Sequence, residues 1–304
     1  MLNIIGVRKI WFAFSGALFI ASLAAIFIWG LKLGIDFTGG SIFELHWSSP
    51  PEIAKIEDQL KTLNLGGFSV QPADNNDVFI RSKSLDENAH QTVLAALRDA
   101  FKNEKGEPAF AEKSFESIGP TVGAELRQKS YGAIALVLLA IIIYIAFAFR
   151  KVSEPVSSWK YGVCAVIALF HDVVIPTGIF AVLGRFLGYE VDTLFVTAIL
   201  TVLGFSVHDT IVVFDRIREN LLKRSGKTFE ETVNLSVNET ITRSINTSLT
   251  VLLVLLAVYF FGGETTKNFV LVLIIGVVFG TYSSIFIASP LLALWHNRML
   301  RKRK

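Results

Sequence analysis

The chain alternates between long apolar blocks and one polar stretch. Six blocks stand out, at about 10–31, 131–149, 161–183, 193–214, 245–261 and 269–295. Each is close to the roughly 20 residues with which a helix crosses a hydrocarbon core about 30 Å thick. The pattern therefore predicts six transmembrane helices. The first block follows Arg8 and Lys9, as in a secretory signal, but it is longer than a signal core and ends without a small-x-small site. A retained helix is expected.

Between the first and second blocks the periodicity changes. Residues 41–47 alternate and are rich in strand formers, and 51–64 place Ile53, Ile56, Leu60 and Leu63 at helical spacing. Short strand-like runs at 68–71 and 78–81 flank a polar Asp-Asn-Asn-Asp turn. Residues 87–102 carry Val93, Leu94, Leu97 and Phe101 as one stripe, and 110–118 form a last strand. The order β-α-β-β-α-β is that of a ferredoxin-like unit, and about 80 residues suffice for a small core of its own. The predicted architecture is an α-helical polytopic membrane protein of six transmembrane helices, with a small α+β ferredoxin-like external domain between helices one and two. Its expected parts are 1–33 (N-terminal segment and first helix), 34–125 (external domain), 126–297 (five helices) and 298–304 (basic tail). Residues 214–222 extend the fourth block and 229–242 lead into the fifth. The polar turn 224–227 lies between them, so these helices are expected as one long hairpin with its tip near Gly226.

Composition agrees with this pattern. The chain is 52% hydrophobic and 18% charged, with a mean hydropathy of +0.53, which is less charge than a soluble domain normally carries. The net charge of +3 hides an asymmetry: residues 33–127 hold nine Lys/Arg against fifteen Asp/Glu, and the remainder twenty against eleven. The basic residues fall on one side of the predicted spans: Arg8 and Lys9, then Arg150, Lys151 and Lys160, then Arg216, Arg218, Lys223, Arg224 and Lys227, and finally the tail. The opposite side has Arg185, Lys267 and the acidic stretch. Lys and Arg favour the cytoplasmic face, so both termini are expected inside and residues 34–125 in the periplasm. The single cysteine, Cys164, lies within a span and excludes an intrachain disulfide.

Ionisable residues inside membrane spans are costly and read as functional by default. His171 and Asp172 fall in the third span, His208 and Asp209 in the fourth, and Arg243 at the entry of the fifth. Asp209 precedes Gly226 by 17 residues and Arg243 follows it by 17, so a tight hairpin places them at one depth, within reach of an ion pair. Asn246, Thr247 and Thr250 share a helix face with Arg243 and are expected as a polar stripe beside Asp209. Two readings of the pair stay open: a fixed structural ion pair, or a proton-binding carboxylate whose pairing with Arg243 changes with protonation. His171 and Asp172 point in different directions and read as packed, hydrogen-bonded auxiliaries. The glycine-bearing turns with Asp36, Gly39 and Gly40, and with Gly119 and Pro120, read as hinges at the two exits of the external domain. No metal-ligand spacing, cofactor motif or catalytic triad is visible, so neither an enzyme nor a metal site is expected. The basic tail fits anionic membrane lipid without any nucleic acid.

Several strings are similar to signatures of the SecF branch of the SecD/SecF family: 34–40 (GIDFTGG), 118–126 (IGPTVGAEL), 169–173 (LFHDV), 207–220 (VHDTIVVFDRIREN), 242–249 (TRSINTSL) and 280–292 (GTYSSIFIASPLL). They occur in order across nearly the whole chain. The resemblance implies a subunit related to half of a resistance-nodulation-division transporter. Such a subunit resides in the bacterial inner membrane and uses the proton-motive force to support late steps of protein export. It implies SecD, the SecY-SecE-SecG channel, YajC and YidC, and a preprotein as partners, and no cofactor. It also places the family's membrane carboxylate on Asp209 and its arginine on Arg243, with His208 where the family usually has Asn. A half of a proton-driven small-molecule or lipid exporter, and a passive membrane scaffold, are the competing readings. The single half with one small external domain speaks against the exporter, and dispensability of Asp209 would mark the scaffold.

Overall fold

The computed structural model describes residues 1–63, 67–73, 76–103, 106–148, 157–226 and 228–302. Asn64, Asp74, Asn75, Phe149, Arg150, Lys151, Lys227 and residues 303–304, which figure in the expectations above, lie outside these. The chain forms two compact units, Leu33–Tyr131 and Met1–Lys32 with Gly132–Lys304.

Helix α1 (Arg8–Trp29) precedes the external unit. There a one-turn helix α2 (Ile35–Thr38) leads into β1 (Gly40–Trp47), α3 (Ile53–Lys61), β2 (Ser69–Pro72), β3 (Asp77–Ser82), α4 (Glu87–Ala100) and β4 (Phe110–Ile118). The sheet order is β2-β3-β1-β4 with all pairs antiparallel, the ferredoxin-like arrangement predicted from element order. Alternation along β1 and β3 sends Phe43, Leu45, Trp47, Val78 and Ile80 into a core closed by Ile56 and Leu60 of α3 and by Val93, Leu94 and Leu97 of α4. Each such side chain withdrawn from water stabilises the fold by about 1.5–3 kcal/mol. The Asp86 carboxylate caps α4 by accepting from the backbone N–H of Ala89 at 2.8 Å.

The β1–β4 register shifts between Glu44 and Leu45, leaving Lys113 as the extra residue on β4. A bulge re-aims the side chain it carries, and Lys113 reaches Asp77 of β3 and, at 3.6 Å, Glu44 of β1. His46 Nδ1 lies 2.7 Å from the other Asp77 oxygen. Burial works against the charged form of Asp77, but its bonds to Lys113 and His46 outweigh it and hold the carboxyl below the usual carboxylate range. Lys113 is correspondingly raised, chiefly by its hydrogen bond to Asp77.

Helix α5 (Pro120–Ala148) leaves the external unit and enters the membrane unit, followed by α6 (Ser158–Leu187), α7 (Thr193–Leu222), α8 (Phe229–Phe261), α9 (Glu264–Ser283), a π-helical turn (Ser284–Ala288) and α10 (Ser289–Lys302). Among the described residues six helices are long and apolar enough to cross a membrane: Arg8–Trp29, Pro120–Ala148, Trp159–Leu187, Thr193–Leu222, Phe229–Phe261 and Thr265–Arg298. They fall on the six apolar blocks. The last contains a π turn, which the apolar pattern does not reveal. Asp192 and Thr228 cap α7 and α8 through the backbone N–H groups of Phe195 and Glu231.

Helix α6 packs on α1, α7 and α9, and α7 packs on α9 and α8. Small residues permit this closeness: a Cβ on Gly178 of α6 would stand 2.4 Å from Ser22 Cβ of α1, and one on Gly276 of α9 would stand 2.1 Å from a Val202 methyl of α7. The residues before α1 are tied down as well. Asn234 and Asn238 of α8 exchange hydrogen bonds with the backbone of Leu2, Ile4 and Ile5 at 2.7–3.1 Å, and Arg8 pairs with Glu230 at 2.6 Å.

Candidate functional site

The membrane unit holds a cluster of buried polar side chains where α6, α7, α8 and α9 meet. Helix α7 contributes Asp209, 5% exposed, from a buried face that is mostly apolar but also carries Ser206 and Thr210. One oxygen, Oδ1, accepts a hydrogen bond from Ser244 Oγ of α8 at 2.8 Å. The other, Oδ2, is buried without a hydrogen-bond partner, although Thr281 of α9 is among the groups beside the carboxylate. Thr281 itself bonds Ser248 of α8. Next to Asp209, Thr210 and Ser284 share a hydroxyl–hydroxyl bond of 2.8 Å.

The expected ion pair is corrected here. Arg243 is exposed, no Asp209–Arg243 ion pair forms among the described residues, and its charge acts on the carboxylate through space. The polar stripe of Asn246, Thr247 and Thr250 is likewise exposed with Arg243 and does not line Asp209. Successive residues on a helix are rotated by about 100°, so one face of α8 carries 243, 246, 247 and 250 and a different one carries Ser244 and Ser248. At the depth of Asp209 the second face presents the small hydroxyls of Ser244 and Ser248, which let α7 and α8 approach. An arginine there would hold them apart. Hairpin symmetry placed the depth of the contact within one residue and missed its face. His208, the neighbour of Asp209, is exposed as well.

His171 and Asp172 of α6 are both buried, and Asp172 is 0% exposed. Adjacent residues on a helix were expected to point apart, yet His171 Nδ1 and Asp172 Oδ1 are 2.9 Å apart. The second carboxylate oxygen, Oδ2, accepts from Ser206 of α7 and Ser283 of α9, each at 2.5 Å. The serines and threonines at 206, 210, 244, 248, 281, 283 and 284 were not singled out in the sequence. Their signal was present as hydroxyl residues four apart on predicted spans (206 and 210, 244 and 248), a spacing that marks one helix face.

In the external unit the two glycine-bearing turns come together. Gly39 has φ +73°, and a Cβ there would lie 2.8 Å from Pro120 Cα, while a Cβ on Gly123 would lie 2.9 Å from the Gly39 nitrogen. Gly40 follows at φ +143°, Asp36 stands in the first turn of α2, and Gly119 and Pro120 open α5. These residues form a close-packed seam.

Residues 97–298 match the family described as protein export membrane protein SecD/SecF, C-terminal, and residues 24–46 match the SecD/SecF GG motif. The chain is 47% identical to the protein translocase subunit SecF of Thermobaculum terrenum, covering 98% of this chain and 95% of the relative. It is 41% identical to that of Anaerolinea thermophila, with the same coverage of each, and 36% identical to that of Pseudomonas aeruginosa, covering 97% and 92%. The crystal structure of SecDF, a translocon-associated membrane protein from Thermus thermophilus, superposes with a TM-score of 0.82 at 30% identity. That likeness covers 97% of this chain and 39% of the SecDF chain.

Proposed function

We propose, on the premise that this chain belongs to the SecD/SecF family of protein-export membrane proteins, that it is the SecF-type half of a Sec accessory complex. In this reading it is a non-enzymatic subunit of the bacterial inner membrane that works with a SecD-type half beside the SecY-SecE-SecG channel. It couples proton entry to late steps of preprotein movement. That the chain spans about two fifths of the SecDF chain supports the need for a second half.

The observation that carries the proton role is the Asp209 carboxylate, buried in the helix bundle, with one oxygen bonded to the neutral Ser244 and the neutral Thr281 beside it. An uncompensated buried charge is expensive and tends to neutralise, so such a group is suited to taking and releasing a proton. Arg243 and the amide and hydroxyls beside it are exposed on the chain alone. An arginine facing hydrocarbon costs at least about 2.5 kcal/mol at mid-membrane, so this face is read as the seat of the SecD-type half. Arg243 would then answer the charge of Asp209 from the edge of that interface.

The test is proton-gradient-dependent completion of secretion in membrane vesicles, with complex assembly followed in parallel. Asp209→Asn is expected to assemble and to abolish the gradient-dependent increment. Assembly together with a parental rate would instead favour the passive scaffold.

A further inference from the structure

Between Lys9 and Lys32 α1 carries no charged residue, and from α9 to α10, between Lys267 and Arg298, only His296 is ionisable. Between their flanking charges α6 offers only His171 and Asp172, α7 only His208 and Asp209, and α8, from Glu239 to its end, only Arg243. Two buried carboxyls thus share one permanent cation, Arg243, and that cation is exposed. The groups facing Asp172 are His171 from its own helix, Ser206 from α7 and Ser283 from α9. Tyr282 of α9, bonded to Ser15 of α1, stacks beside His171 at 6.3 Å. His171 Nε2 is buried without a hydrogen-bond partner.

The hydrogen bonding around Asp172 depends on its charge. An ionised carboxylate only accepts, and Oδ2 accepts from two serines on two helices. A proton on Oδ2 would turn one of those bonds into a donation, and the serine receiving it would have to reorient its own hydroxyl. Ser283 and Asp172 itself both sit beside helix irregularities. Ser283 directly precedes the π-helical turn, whose Ser284 reaches the Ser206 carbonyl at 3.4 Å and Thr210 at 2.8 Å. Pro176 lies inside α6 one turn after Asp172 and has no N–H for the carbonyl of residue 172. Such irregularities are frequent at functional sites. Ser206 is three residues before Asp209 on α7, hence on nearly the same face.

We propose that Asp172 is a second proton-responsive carboxyl, a positioning residue for Asp209 whose ionised form clamps α7 and α9 to α6 through Ser206 and Ser283 and whose protonated form releases the clamp. This rests on the reading of Asp209 as the proton-coupling group. Release lets α7, with Asp209, shift against α9 at the π turn.

The experiment is the pH profile of gradient-dependent secretion by the full chain assembled with its SecD-type half and the channel. Asp172→Asn keeps shape and an acceptor but cannot ionise. It is expected to assemble while displacing or flattening the profile by the equivalent of about one pH unit or more. Ser206→Ala with Ser283→Ala removes both donors to the ionised form and is expected to move the profile toward higher pH. A parental profile for assembled Asp172→Asn overturns the proposal. If Asp172→Asn does not assemble, the double variant decides, and a parental profile or failed assembly there assigns the cluster to packing and overturns it equally. Asp209→Asn run beside them separates the two ideas: if it secretes at the parental rate, the proton reading itself falls, whatever Asp172 does.

Discussion

At the scale of single residues, charge placement divides the molecule into a membrane cluster with few counter-ions and an external cluster that is fully paired. Within the membrane unit, Arg243→Met is expected to impair gradient-dependent secretion about as severely as Asp209→Asn, because the carboxylate loses its through-space countercharge. His208→Asn is expected to preserve it with at most a shifted pH profile, since His208 is exposed and it is Ser244 that bonds the carboxylate. Secretion assays with matched assembly controls distinguish these outcomes. In the external unit Asp77 is depressed, so its contribution to stability is present above the unfolded carboxylate value of about 3.9 and is lost as pH falls through the lower folded value. Thermal unfolding of the external domain should therefore weaken below about pH 4, and Asp77→Asn should remove most of that acid limb while lowering stability at neutral pH. An unchanged acid limb would show that other carboxylates set it. The ionisable residues of the membrane cluster stood out in the sequence, whereas those of the external cluster did not, because charge is ordinary in a water-exposed domain. The Lys113 bulge did not, because a one-residue register shift leaves no mark in an alternating pattern.

At the scale of elements, the seam between the double-glycine turn and the start of α5 is the feature most sensitive to small changes. Gly39→Ala would place a methyl within 2.8 Å of the Pro120 backbone at a positive φ. A positive φ alone costs an L-residue about 1–2 kcal/mol, and the backbone contact adds to it. A loss of several degrees in the melting temperature of the external domain is expected, measurable by circular dichroism on a fragment covering 33–131. Gly119→Ala, with open space at its Cβ and no positive φ, serves as the mild comparison. The turns themselves were legible from their glycines. That they close on each other was not, since about 80 residues separate them and only the antiparallel β1–β4 pairing of Gly40 with Ile118 brings them together.

At the scale of the whole molecule, the spans and the basic residues between them imply an orientation. Both termini and the α7–α8 turn are expected in the cytoplasm, with the β-rich unit in the periplasm. Single cysteines at Asn75 and Ser225 in a Cys164→Ser background, probed with an impermeant thiol reagent on intact spheroplasts, should give labelling at 75 and none at 225. Labelling of 225 from outside would reverse the assignment. The largely apolar and exposed faces of α5 and of the membrane half of α8, with residues such as Leu139, Ile143, Leu249 and Leu253 open on the chain alone, are expected to be covered by lipid and by the second half.

The sequence by itself determined the six spans, the order and type of the external elements and the short list of intramembrane ionisable residues. These follow from local rules: the length of an apolar run, the period of its pattern, and the rarity of charge in hydrocarbon. Only the tertiary structure decided which face of α8 meets Asp209, that Asp172 is held by serines from two other helices, and that the last span breaks into a π turn beside them. A helix pattern fixes neither rotation about the helix axis nor the identity of its neighbours. Those depend on which small side chains let two backbones approach, a property of pairs of helices that a single strand of sequence does not carry.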